Sequence, residues 1–297
     1  MKTYGDYLAG IFPVIKVQKI SVDAGFTCPN RDGSISTGGC IYCRNDSFSP
    51  SYCKPSDSVT VQLEKGKKFF SRKYPEMKYL AYFQSYTGTY NKSIDELSRL
   101  YREALGVEGV VGLVVATRPD CLSDEVVGLL GEINKETPVF VELGAETSHD
   151  DTLRVINRNH SWQDVVDATE RISRAGLHCG LHLIAGLPGE DEERVIETIE
   201  RVSALKIETI KLHQLQVLKG TPLLAGIETG EITVPEMSLE QYLRLCAKIV
   251  RMVPEHIVIE RFLSQSPPEL VEFPSWGLKN YQFMAKLEQM IKELEKQ

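Results

Sequence analysis

Val14 to Val22 alternates between apolar and polar positions and predicts a first strand. Apolar runs at Tyr79–Phe83, Val110–Ala116, Val139–Leu143, His178–Ala185 and Thr209–Leu215 predict five more. Helical patterns fall between them. One covers Val59 to Tyr74. Another runs from Ser93 to Leu105, where Ser93 and Glu96 have capping-box spacing. Ser123 opens a third, Trp162 to Ala175 forms a fourth, and a fifth follows the turn Gly186-Leu187-Pro188-Gly189 and ends near Leu205.

Strand and helix units in series predict an α/β fold of parallel strands joined by right-handed crossovers, either flat and doubly wound or curved into a barrel. Polar residues cluster after each predicted strand, at the edge where both architectures carry function. Beyond about Thr221 the pattern changes. It holds a helix Leu239–Met252, a short apolar strand Ile257–Ile259, a loop with Pro267, Pro268 and Pro274, and an amphipathic helix from Tyr281. The expected organisation is a core over 1–225 with a C-terminal accessory region, 226–297, packed on it. No internal repeat or low-complexity block interrupts this.

The 297 residues are 42% hydrophobic, enough for a substantial core. No apolar stretch reaches the ~18 residues of a membrane span. The start, Met1 to Asp6, lacks the charged and apolar regions of a signal peptide. A cytoplasmic protein without membrane association is the expectation. The formal net charge of −7 disfavours a large nucleic-acid footprint, because phosphate neutralisation needs a basic surface. The run Lys65 to Lys68, with Arg72 and Lys73, reads as a solvated helix face. A small molecule fits this balance better than tRNA or DNA.

Candidate chemistry begins in the loop after the first strand, where Cys28, Cys40 and Cys43 lie close together. Gly38-Gly39 permits a sharp turn before Cys40. Three thiolates fall one short of the usual four-cysteine shell of an iron–sulfur cluster, so a four-iron cluster held here would keep one iron open to another ligand. Zinc is a second reading. It needs a fourth ligand, for which Cys53 is the nearest candidate. A thioredoxin-like redox pair is a third, although it would have no use for Cys28. Cys53, Cys121, Cys179 and Cys246 otherwise read as structural.

Further motifs follow in order: Gln84-Ser85-Tyr86-Thr87, Thr117-Arg118-Pro119-Asp120, Val141-Glu142-Leu143-Gly144, Arg158-Asn159-His160 and Ile184-Ala185-Gly186-Leu187-Pro188-Gly189. With the cysteine triad, this series resembles the radical S-adenosylmethionine (SAM) superfamily, in the branch of the elongator catalytic subunit and oxygen-independent coproporphyrinogen oxidase. Gly25-Phe26-Thr27-Cys28-Pro29-Asn30-Arg31-Asp32-Gly33 is similar to the mark of a bacterial single-domain subfamily. The resemblance covers roughly 13–225, with weaker likeness at Trp276 to Asn280. The superfamily's common spacing is C-x3-C-x2-C. Here eleven residues separate Cys28 from Cys40, a departure this subfamily shares.

The resemblance implies a partial (β/α)6 TIM-like barrel with a C-terminal extension, a [4Fe-4S] cluster on Cys28, Cys40 and Cys43, and SAM on the open iron. An external one-electron reductant of the flavodoxin or ferredoxin type would drive cleavage to a 5′-deoxyadenosyl radical, which abstracts a substrate hydrogen. Gln84, Ser85, Tyr86 and Thr87 are expected near the methionine amino group and Arg158 near its carboxylate. Glu142 is expected at the ribose, and Ile184, Gly186 and Leu215 at the adenine. His213, Glu260 and Arg261 are candidate substrate contacts. Many relatives carry Gln where this chain has Glu146, and an ionised carboxylate there suits an amine. Together with the acidic charge, this points to queuine lyase, which splits a C–N bond of a modified nucleobase to release a 7-deazaguanine precursor. Radical modification of wobble uridine in tRNA is the alternative. A non-enzymatic iron–sulfur or zinc protein is a remote one.

Overall fold

The computed structural model describes residues 2–13, 15–71 and 76–295. Val14, Arg72, Lys73 and Tyr74, which entered the readings above, lie outside the described residues. The strands β1 (Val17–Val22), β2 (Lys78–Phe83), β3 (Val110–Thr117), β4 (Val139–Glu146), β5 (His178–Ala185) and β6 (Thr209–Gln214) pair side by side in chain order, each pair parallel. The order never reverses. A doubly wound sheet needs a reversal to place helices on both faces. Here every right-handed crossover returns to the same face, and the sheet curls into a partial barrel with that face outside.

The crossovers contain α2 (Val59–Ser71), α3 (Ile94–Leu105), α4 (Asp124–Asn134), α5 (Asp150–Val155), α6 (Trp162–Arg174) and α7 (Glu192–Ser203). Ser93 and Glu96 form the expected capping box, and Ser123 caps α4. The main core lies between the helices and the outer face of the sheet. It joins Ile20, Ala81, Phe83, Leu113, Val115, Val141, Leu181 and Leu212 to Leu63, Leu97, Leu130, Ile172 and Ile199.

The alternate residues of the same strands point into the barrel, because side chains change face at every step along a strand. A helix not legible in the sequence, α1 (Tyr4–Ile11), covers part of this inner face. Its Leu8, and Phe12 just beyond it, pack on Leu80, Tyr82, Val114 and Phe140.

The C-terminal part is more than an addition on the outside. After β7 (Val217–Leu218), α8 (Pro222–Glu228) and α9 (Leu239–Met252), the strand β8 (Val258–Arg261) pairs parallel to β6 and becomes the seventh strand of the sheet. β9 (Val271–Phe273) pairs antiparallel with β7, and α10 (Asn280–Leu294) packs against α9. Among the described residues, no helix is long and apolar enough to cross a membrane.

Candidate active site

One pocket opens at the C-terminal ends of the strands. Cys28, Cys40 and Cys43 line it together with Gln84, Tyr86, Thr87, Glu142, Glu146, Arg158, Ile184, His213, Leu215 and Arg261. Three sequence candidates do not line it. Ser85 is buried, Gly186 turns at φ +92° behind it, and Glu260 pairs within the barrel interior.

All three cysteines are free thiols, reached through a turn in which Gly38 and Gly39 adopt φ of +82° and +85°. Burial pushes the Cys43 thiol up to about 11, with Cys40 adding to the shift and Arg31 opposing it. Among the described residues, no three Cys, His, Asp or Glu side chains converge as a single metal ion requires. Zinc draws its ligands to one point about 2.0–2.3 Å away, whereas a cluster spreads its thiolates over separate irons. Cys53 does not complete a shell. Its Sγ meets the Ser21 carbonyl at 2.9 Å.

Three buried polar atoms near the triad have no partner: Asn30 Oδ1, Thr87 Oγ1 and Arg118 Nη1. Thr87 and Arg118 line the pocket, and Asn30 Nδ2 lies 3.6 Å from Cys40 Sγ. Buried polar groups are normally satisfied. Orphans grouped here fit a bound polar group that would satisfy them.

Arg158 is held by several groups. Its Nη2 donates to the Gly144 carbonyl at 2.6 Å and pairs with Glu146 Oε1 at 3.2 Å, and its Nη1 lies 3.8 Å from Cys40 Sγ. Residue 144 must be glycine for this approach, since a Cβ there would stand 2.5 Å from Arg158 Nη2. Arg158 Nε points at His160 Nε2 at 3.1 Å. With Nδ1–H donating to the Ser161 carbonyl, Nε2 is left to accept. Burial and the Arg158 charge lower the His160 pKa to about 4, so the ring is neutral. Glu146 has φ +66° at the end of β4, which turns its side chain toward Arg158.

Deeper in the barrel lies a charged layer that sequence reading missed. Glu142 accepts from Lys19 Nζ and Lys211 Nζ, both at 2.5 Å, from the Tyr82 hydroxyl at 2.6 Å, and meets His182 Nε2 at 2.8 Å. Glu260 pairs with Lys19 at 2.7 Å and with Lys211 at 3.5 Å. The Glu142 carboxyl is held well below its ordinary pKa, Lys19 and Lys211 outweighing the cost of burial. The signal for this layer was present: Lys211 lies between Ile210 and Leu212, and His182 between Leu181 and Leu183. A polar residue at an inward position of an apolar strand marks a lined interior.

The Radical SAM superfamily profile matches residues 31–202, and the Radical_SAM C-terminal domain matches 207–293. The Bacillus subtilis (strain 168) protein YtqA is 34% identical over 280 residues, covering 94% of this chain and 85% of its own length. A tRNA uridine(34) acetyltransferase of Methanocaldococcus infernus is 24% identical over 196 residues, 61% of this chain and 36% of its length. The structure of the archaeal Methanocaldococcus infernus Elp3 with an N-terminal deletion superimposes with a TM-score of 0.67 at 17% identity. That match covers 94% of this chain and 64% of the Elp3 chain, and concerns the fold. With a triad suited to a cluster at the mouth of a curled parallel barrel, and a family match over more than half its length, the chain belongs to the radical SAM superfamily, whose cofactors are a [4Fe-4S] cluster and SAM.

Proposed function

We propose that Cys28, Cys40 and Cys43 hold the [4Fe-4S] cluster and that the adjoining pocket binds SAM and a nucleobase substrate. With one electron from an external flavodoxin- or ferredoxin-type donor, the bound cofactors would supply radical chemistry that abstracts a hydrogen from the substrate. The chain's residues orient and enclose. Thr87 Oγ1 and Arg118 Nη1 offer unfilled hydrogen-bonding positions to SAM or the cluster. The aliphatic walls Ile184 and Leu215 suit the adenine. Gln84, Tyr86 and Arg158 would hold the methionine end, Arg158 acting from a position braced by Glu146 and Gly144. Glu142, bound by two lysines, shapes the floor and is not an open acceptor for the ribose.

The observation that favours one substrate reading over the other is the Arg158–Glu146 ion pair. Queuine cleavage gave Glu146 a substrate amine to bind, but that carboxylate already has a guanidinium at 3.2 Å. The reading that gains is radical modification of a uridine-type base, which the likeness to a tRNA uridine(34) acetyltransferase also favours. The charge of −7 would confine contact with RNA to the mouth, where Arg31 and Arg44 line the pocket. Queuine lyase is the second reading, favoured by that same charge. The test is anaerobically reconstituted enzyme with reductant, SAM and either unmodified tRNA or queuine, followed by mass spectrometry of 5′-deoxyadenosine and of each base. A new uridine derivative is the expected result. A 7-deazaguanine product formed only with queuine would reverse the ranking, and absence of reductive SAM cleavage would remove the radical reading.

A further inference from the structure

The charged layer of the barrel does not balance. Lys19, Lys211 and Arg261 bring three cations, and Glu142 and Glu260 bring two carboxylates, both engaged by the lysines. Arg261 ends β8, in register with Lys211 of β6, and is half-buried in the pocket wall beside His213 and Ser264. Among the described residues, it has no carboxylate within ion-pair distance. The other arginines of the pocket each have a polar partner, with Arg118 Nη1 left open. Arg44 pairs with Asp46, Arg118 with Asp120 and Arg158 with Glu146, while Arg31 donates to the Cys43 carbonyl.

Of the other carboxylates at the pocket, Glu146 is paired with Arg158. His213 and His182 stack near one another, ring centroids 5.4 Å apart. Burial depresses both pKa values, Arg261 adding at His213 and Lys211 at His182; His182 Nε2 faces Glu142 at 2.8 Å and His213 Nδ1 faces the Ser264 hydroxyl at 3.3 Å. The surplus also reaches Lys211, whose pKa falls to about 8 through burial, with Lys19 and Arg261 adding. Charges withdrawn from water are normally paired. A guanidinium fork matches a carboxylate or phosphate with two parallel hydrogen bonds.

We propose that Arg261 is the anion-recognition group of this pocket, and that the substrate carries a carboxylate or phosphate that seats on it beside His213. This rests on the pocket being a substrate site, but not on which base is modified. It also gives β8 a role: the C-terminal region would supply the specificity group to a barrel whose cofactor ligands come from the N-terminal half.

The test uses reconstituted, SAM-loaded enzyme, with calorimetric titration of inorganic phosphate and of acetate as separate probes. At least one should bind the wild type, and the preference between them identifies the anionic group. Arg261→Gln should weaken that binding about ten- to hundredfold, the usual effect of removing a charged hydrogen-bond partner. Arg261→Lys, which keeps the charge and loses the fork, should fall between and guards against misfolding of the first variant. SAM affinity and substrate-free 5′-deoxyadenosine release are measured alongside, to separate an effect on the cofactor from one on the anion. Equal anion binding by wild type and Arg261→Gln, or no binding of either probe by the wild type, would overturn the proposal. Loss of SAM binding in Arg261→Gln would also overturn it, by assigning Arg261 to the cofactor. A failure of the radical reading would appear separately, as absent SAM cleavage in the wild type.

Discussion

Lys19 on the first strand and Glu260 on the last meet at 2.7 Å inside the barrel. The sheet runs from β1 to β8 without closing on itself, so its two edge strands are joined by a side-chain ion pair in place of a ladder of hydrogen bonds. The same ammonium reaches Glu142 at 2.5 Å and lies 4.7 Å from the ring centroid of Tyr4 on α1. One lysine thus connects the first strand, the middle strand, the last strand and the helix on the inner face.

Removing that lysine should be costly. Lys19→Met leaves two buried carboxylates to share Lys211, and should destabilise the fold by about 3–5 kcal/mol, the usual effect of breaking a buried pair from one side. Lys19→Met with Glu260→Met should cost less than the sum of the two single changes, because the second removes the stranded charge. Urea titrations of the four proteins measure this. Additive costs would show that the pair carries no coupling.

Gly144→Ala should act through Arg158. The new Cβ would stand 2.5 Å from Nη2 and 2.7 Å from Glu146 Oε1, so the guanidinium must move. Overpacking of this kind costs about 1–3 kcal/mol. In an Arg158→Ala background part of the clash is gone, and the same glycine change should cost clearly less. Thermal melts of the cycle decide it.

Iron and sulfide analysis after reconstitution should separate the cysteines into two groups. Serine at Cys28, Cys40 or Cys43 should each abolish retention of a full cluster. Cys53→Ala should retain it, since the Cys53 thiol is taken up by the Ser21 carbonyl. Cluster loss in Cys53→Ala with retention in Cys28→Ser would reassign the ligand set.

His160 should make stability sensitive to acid. Its pKa is about 4 in the fold, against about 6.5 unfolded, so its contribution is complete above pH 6.5. As pH falls from 6.5 through 4, the unfolded chain takes up the proton first and stability drops. The loss is on the order of 3 kcal/mol from this group. Urea midpoints of the wild type should therefore fall more steeply across that window than those of His160→Gln. Parallel slopes would show that the ring is not held neutral.

The Cys28–Cys43 loop, the strand-end motifs and the alternation of strands with helices were all legible in the chain, because each is local. A capping box such as Ser93–Glu96 spans four residues, and a buried parallel strand shows itself as an apolar run. The seventh strand was visible as Ile257–Ile259, but its place beside β6 was not, since nothing local distinguishes a short apolar strand in an extension from one in the main sheet. The α1 helix went unread because it is only eight residues long and its apolar face is partnered far away in sequence.

The sequence by itself therefore determined the order of elements, the parallel sheet, the three-thiolate loop and the radical SAM family. Tertiary structure alone decided which charges meet. Period-two alternation sets Lys19, Glu142, His182 and Lys211 on inward positions, but whether they touch depends on the curvature that brings strands from opposite ends of the sheet together. Lys19 and Glu260 are 241 residues apart and in contact. Glu146 looked open to a substrate and is held by Arg158, while Arg261 has, among the described residues, no carboxylate within ion-pair distance. Pairing follows from distance in space, and only the folded barrel sets that distance.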